Sequence, residues 1–209
     1  MPRLLPPPKP AILALPPFAA LPAAAVVQPR GESALAQALA DLAAQTHIGF
    51  DTESKPTFVA GQESSGPEVV QFATAERAYV LQLRQPGAEA LVRAVLTQPG
   101  VVKVGFDLQQ DLGQLRRRLG VEVQPLLDLT RVFHRMGYPR TLGIRSAVAV
   151  VFGRQFAKSK RVTTSNWAAA TLSPQQLQYA ANDAWVALQV LLALRQQQPQ
   201  ALAEVERGR

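Results

Sequence analysis

Residues 47–54 read HIGFDTES, and in this stretch Ile48 and Phe50 alternate with Gly49 and Asp51. Alternation with period two is the mark of a strand. In a strand, Asp51 and Glu53 leave the chain on the same side, because successive side chains point to opposite faces. The segment therefore reads as a strand entering from a helix and carrying two carboxylates toward a loop. Two acids so placed can share a divalent cation, or can be two solvated surface acids.

Working outward, VVQFAT (69–74) and AYVLQL (78–83) supply the β-branched and aromatic bulk of two more strands. Three neighbouring strands suggest an antiparallel meander. Upstream, ESALAQALADLAAQ (32–45) has the spacing of an amphipathic helix that covers a sheet face. Downstream, a helix is expected around 88–96, a fourth strand at VVKVG (101–105), a helix over 108–119 and a short strand near 126–129. Helices follow to the end, broken by the basic loop KSKRVTTSN (158–166). Three strands in a row, then alternating strand and helix, is the order of an α/β protein with a mixed sheet flanked by helices.

Two further acids have marked positions. In KVGFDLQQDLGQL (103–115) a strand turns at Gly105 into a helix with Leu108, Leu112, Leu115 and Leu119 on one stripe. Asp111 lies beside that stripe, three residues after Leu108 and four before Leu115, so it needs a partner: an arginine of the run 116–118, or a metal. Asp107 sits at the start of the helix, where an acid can cap free amides. In TLSPQQLQYAANDAWVALQVLLAL (171–194), Ser173 is the N-cap, Pro174 the first helical residue and Gln176 the capping-box partner. Tyr179 and Asp183, four apart, share a face that Val186 and Val190 continue inward.

Length and composition bound the rest. With 209 residues and 47% hydrophobic residues the chain supports one core. The expected division is a Pro-rich arm over 1–30 that packs loosely, a single catalytic-sized unit over 31–196 and a frayed tail over 197–209. Twenty-two Lys and Arg against 15 Asp and Glu give a basic protein, suited to an anionic partner. The absence of cysteine excludes disulfides and thiolate metal sites. Prolines 10, 16, 17 and 22 interrupt the apolar N-terminal stretch as a signal peptide, and no run reaches the about 20 apolar residues of a spanning helix. The expected location is the cytoplasm, with no membrane partner.

The ordered set FDTE, GFDLQQD and YAAND resembles the DEDD superfamily of 3'-5' exonucleases in its tyrosine-containing (DEDDy) branch, similar to ribonuclease D and the Werner-syndrome exonuclease domain. The resemblance runs from about Ala34 to Leu194 and includes KSKRVTTSNW (158–167). It implies a ribonuclease-H-like fold and hydrolysis of single nucleotides from the 3' end of DNA or RNA. By the family pattern, Asp51, Glu53, Asp111 and Asp183 hold two Mg2+ or Mn2+ ions and Tyr179 orients the attacking water, with nucleoside 5'-monophosphates as products. An all-oxygen ligand set suits those cations. Asp107 departs from the pattern, which often has Asn there. The expected partner is a nucleic acid with a free 3' end, contacted by Lys158, Lys160, Arg161, Asn166 and Trp167, although Trp167 also reads as core. Two rival readings are an inactive nucleic-acid-binding module of the same fold, and a small-molecule phosphohydrolase that would want an Asp where Glu53 stands.

Overall fold

In the computed structural model, which describes residues 3–56 and 66–207, the β-rich segments form strands β1 (Val26–Val27), β2 (His47–Ser54), β3 (Pro67–Ala73), β4 (Ala78–Gln82), β5 (Val102–Gly105) and β6 (Leu126–Asp128). The helices are α1 (Lys9–Leu13), α2 (Glu32–Ala43), α3 (Ala88–Thr97), α4 (Gln109–Leu119), α5 (Leu129–Arg135), α6 (Ile144–Phe152), α7 (Lys160–Thr163), α8 (Pro174–Gln197) and α9 (Pro199–Arg207). The strands make one sheet in the order β1-β4-β3-β2-β5-β6. The meander β2-β3-β4 is antiparallel, while β5 joins β2, β6 joins β5 and β1 joins β4 in parallel. The mixed sheet flanked by helices matches the sequence expectation. Most of the β2–β3 connection falls at 57–65, outside the described residues.

The period-two alternation sorts the sheet into two buried faces. Ile48, Phe50, Val70, Phe72 and Leu81 pack with Ala38 and Leu42 of α2, Leu91, Val92 and Val95 of α3, and Leu115 and Leu119 of α4. The opposite face carries Val69, Ala73, Ala78 and Val80 against Ala180, Ala181 and Ala184 of α8. Beyond β5, Val104 and Leu127 join Phe133 of α5, Val148 of α6 and Val190 and Leu191 of α8. Helix α8 starts at the expected capping box, with both reciprocal bonds of Ser173 and Gln176 present. It stops at Gln198, the residue before Pro199, where proline disfavours a helical predecessor.

Both ends of the chain are more ordered than their composition suggests. The loose packing expected of the arm is corrected. Helix α1 buries Ile12, the Phe18 amide donates to the Gln155 carbonyl and the Gln155 amide to the Pro16 carbonyl, both at 2.8 Å, and the Phe18 ring lies 4.9 Å from that of Phe152. Leu21 is buried, its amide held by the Asn182 side chain at 3.1 Å and its carbonyl by Gln178 at 2.8 Å. Proline removes backbone donors, but the amides of Leu4, Phe18 and Leu21 find partners and the side chains of Ile12 and Leu21 bury, while Leu4, Leu5 and Leu13 stay exposed. Within the tail over 197–209, expected to fray, residues Pro199–Arg207 instead form α9, which inserts Leu202 and Val205 into the cluster with Phe133. Residues 208–209 lie outside the described residues.

Candidate active site

Helix α8 reaches the sheet because β2 carries no side chain where the two meet. A Cβ on Gly49 would sit 1.9 Å from the Ala184 carbonyl oxygen, so any larger residue would push the helix away. One residue before Ala184, Asp183 comes over the odd-numbered face of β2, the face of Asp51 and Glu53. Carboxylate oxygens of Asp51, Glu53 and Asp183 lie within 4.8 Å of one another.

Asp111 approaches from the other side of the sheet, in the first turn of α4. It is linked to the three acids through Thr52, whose hydroxyl donates to Asp111 Oδ1. Two of the three arginines that were the alternative partners of Asp111 are engaged elsewhere, Arg116 with Glu122 at 3.1 Å and Arg118 with Glu68 at 3.3 Å. The turn that aims α4 is pinned by Asp128 at the end of β6, which accepts from the amides of Asp107 (3.1 Å), Leu108 (3.2 Å) and Thr130 (2.9 Å). Asp107 itself is exposed, with φ of 52°, and its side chain does not cap α4; the helix boundary falls at Leu108. Asp128 takes the capping role that the sequence offered to Asp107. Neither Thr52 nor Asp128 was singled out from the sequence, since a single Thr or Asp at a strand end carries no pattern of its own.

Tyr179 is buried on the α8 face. Its hydroxyl lies 2.7 Å from Thr163 Oγ1, and its ring packs 6.0 Å from that of Trp167. Trp167 is fully buried and donates its indole N–H to the Thr163 carbonyl at 3.2 Å, so its ring has no face open to stack on a base. Of its two sequence readings, the structure places it in the core. The basic run divides as well. Lys158 enters the acidic centre, with Nζ 2.7 Å from Asp183 Oδ2 and 5.1 Å from the centre of the Tyr179 ring. Arg145 holds the Lys158 carbonyl at 2.6 Å. Lys160 and Arg161 are exposed, and Asn166 caps locally, accepting from the Ala168 amide at 3.2 Å.

The site is charged beyond what its own residues balance. Burial, reinforced by Asp183, raises the Asp51 carboxyl to about 7. Burial and the charges of Asp51 and Asp183 raise Glu53 to about 9. Burial followed by Asp51 raises Asp111 to about 7, and burial raises Asp183 despite its lysine. Burial alone would depress Lys158, but Asp183 and Asp51 outweigh it and leave the ammonium raised. Burial and Asp183 push the Tyr179 phenol to about 12. Four carboxylates face one ammonium, and among the described residues Asp183 Oδ1 has no hydrogen-bond partner. Hard divalent cations fit this oxygen-only set: they would let all four acids ionise and would engage the free oxygen.

Over residues 26–198 the chain matches the 3'-5' exonuclease family. It is 30% identical over 162 residues to a ribonuclease D of Xanthomonas oryzae, covering 77% of this chain and 42% of that one. It is 26% identical over 150 residues to a 3'-5' exonuclease of Arabidopsis thaliana, covering 71% and 52%. The chain spans about half or less of the length of these relatives. Among solved structures, the EXO domain of Aedes aegypti Nibbler superimposes with a TM-score of 0.67 at 24% identity, covering 79% and 85%. Escherichia coli RNase D gives 0.67 at 23%, covering 85% and 47%. A sheet that gathers carboxylates from β2, α4 and α8, and a match over most of the chain, place this protein in the 3'-5' exonuclease family of hydrolytic nucleases.

Proposed function

We propose that the protein is a metal-dependent exonuclease that removes nucleotides from the 3' end of DNA or RNA and releases nucleoside 5'-monophosphates. The observation that carries this reading is the convergence of half-buried Asp51 and Glu53 with buried Asp183 within 4.8 Å, with Asp111 tied in through Thr52. Such a group is destabilising unless cations neutralise it. Asp51, Glu53, Asp111 and Asp183 would hold two Mg2+ or Mn2+ ions, which would supply the charge that lowers the pKa of water and stabilises the leaving 3' oxygen.

The remaining steps fall to this chain's own residues. The Tyr179 hydroxyl, fixed by Thr163 and by the packing of its ring on Trp167, holds the attacking water in line with the phosphorus. A phenol raised to about 12 stays protonated at neutral pH and therefore orients the water rather than deprotonating it. Lys158 is drawn into the centre by Asp183 and is placed to neutralise the scissile phosphate. Lys160 and Arg161, exposed beside it, contribute backbone attraction that salt would weaken. The T. brucei RNase D structure of the same fold, determined with an RNA, supports a nucleic-acid strand as substrate (TM-score 0.68, 20% identity, 88% of this chain and 64% of that one).

The test uses a 5'-labelled oligonucleotide. Ladders shortening from the 3' end that require Mg2+ or Mn2+ and disappear in Asp183→Asn support the reading. Tight binding with no cleavage in any divalent cation would replace it with a binding module, and hydrolysis of p-nitrophenyl phosphate with intact oligonucleotide would replace it with a small-molecule phosphohydrolase.

A further inference from the structure

On the face of the sheet that meets α8, three rows run across β2, β3 and β4: Gly49–Ala73–Ala78, Asp51–Gln71–Val80 and Glu53–Val69–Gln82. Besides the two acids, two glutamines interrupt the apolar residues of these rows, and they differ in one respect. Gln82 is satisfied: its Nε2 donates to the Ala169 carbonyl at 2.9 Å and its Oε1 accepts from Gln28 at 2.9 Å. Gln71 is 0% exposed, and neither its Nε2 nor its Oε1 has a hydrogen-bond partner among the described residues.

An amide withdrawn from water with no partner opposes folding, and an apolar side chain of equal size would remove that cost. Its surroundings narrow what the amide can serve. Val80 flanks it on β4, Val69 and Ala73 lie two positions along its own strand, and the α8 side is built from Ala180, Ala181 and Ala184. Of its two cross-strand partners the polar one is Asp51, directly opposite on β2. Paired residues of this kind have Cβ atoms about 4.5 to 5.5 Å apart, within reach of a glutamine amide. Asp51 already accepts one hydrogen bond, from the Thr52 amide to Oδ1 at 2.9 Å, and has capacity for more.

We propose that Gln71 is a positioning residue of the carboxylate centre, its Nε2–H donating to the Asp51 carboxylate when the site holds a cation, so that the Asp51 oxygens are held toward Glu53 and Asp183. The proposal rests on the cation-binding reading of the site and adds a residue to its supporting shell, where a lost partner costs metal affinity without touching the metal.

The experiment uses the full chain. Gln71→Leu and Gln71→Met keep the volume and delete the polar atoms, and Val80→Ala perturbs the packing of the same row from the other side. Mn2+ binding is measured by titration calorimetry on metal-stripped protein, and thermal denaturation is measured in EDTA. The expected result is a melting temperature in EDTA equal to or above wild type for both glutamine variants, with the Mn2+ dissociation constant raised about 10- to 100-fold. Val80→Ala should lower the melting temperature and leave the Mn2+ constant within twofold. Wild-type Mn2+ affinity in both glutamine variants overturns the proposal. So does a loss of affinity that follows a loss of melting temperature in all three variants, which marks a packing role only. Wild-type protein that takes up no Mn2+ removes the cation-binding reading itself, an outcome separate from either.

Discussion

Lys158 Nζ lies 2.7 Å from Asp183 Oδ2, joining the loop before α7 to the most buried acid of the site. The pair is one-sided: Asp183 is almost wholly enclosed, while the lysine retains some contact with solvent. Removing one partner of such a pair leaves an uncompensated buried charge, at a cost of about 3 kcal/mol or more. Lys158→Met should therefore lower the melting temperature of the protein in EDTA, and Mn2+ should restore more of the loss than it adds to wild type. Parallel melts of the two proteins with EDTA and with MnCl2 check this; an unchanged melt in EDTA would show that the ion pair carries no stability.

Stability of the metal-free protein should fall as pH rises through neutrality. Asp51 and Asp111 are raised from 3.8 to about 7, and Glu53 from 4.5 to about 9. Between each pair of values the folded protein holds a proton that the unfolded chain has released, so the unfolding free energy decreases with pH. The stability linked to the aspartates is fully present below pH about 4 and lost by pH about 7, and that of Glu53 is lost by pH about 9. Melting temperatures in EDTA across pH 4 to 9 should slope downward, and saturating Mn2+ should flatten the curve. A rising curve in EDTA would contradict the crowding of these acids.

Thr52→Val keeps the shape of the side chain and deletes the hydroxyl that holds Asp111. One lost hydrogen bond changes stability by only about 1 kcal/mol, whereas an unsupported ligand loses metal affinity or activity by about 10- to 100-fold. Single-turnover cleavage of a 5'-labelled oligonucleotide, with a melt on the same sample, separates the two effects.

Tyr179→Phe retains the ring packed on Trp167 and removes the hydroxyl shared with Thr163. Cleavage should slow by about 10^2-fold or more at saturating metal, with substrate binding and melting temperature close to wild type. A rate within threefold of wild type would strip Tyr179 of its part in orienting the water.

Gly49→Ala places a methyl against the Ala184 carbonyl, where the ideal Cβ position lies 1.9 Å from the oxygen. Backbone on both sides must move, and overpacking of this kind costs about 1 to 3 kcal/mol. Because the strain separates α8 from β2, Asp183 leaves Asp51, and Mn2+ affinity should fall together with the denaturant midpoint.

Much of this protein was legible before folding. Period-two alternation over 47–54 fixed which face carries Asp51 and Glu53, the Ser173–Gln176 capping box located the start of α8, and the four-residue spacing of Tyr179 and Asp183 put both on its inner face. Each is a local regularity, set by the geometry of one strand or one helix, and composition cannot hide it. What only the tertiary structure decided depends on residues distant in sequence. Thr52 meets Asp111 across 59 positions, Asp128 pins the turn at Asp107 from the neighbouring strand, and Lys158 joins the acids instead of lining a solvated basic loop. The Pro-rich arm looked unattached for the same reason: Phe18 and Leu21 find their partners at Phe152, Gln155 and Asn182, more than 100 residues away. Spacing along the chain determines what faces one way. Close approach between elements, set here by a glycine at 49 and alanines on α8, determines what those faces touch.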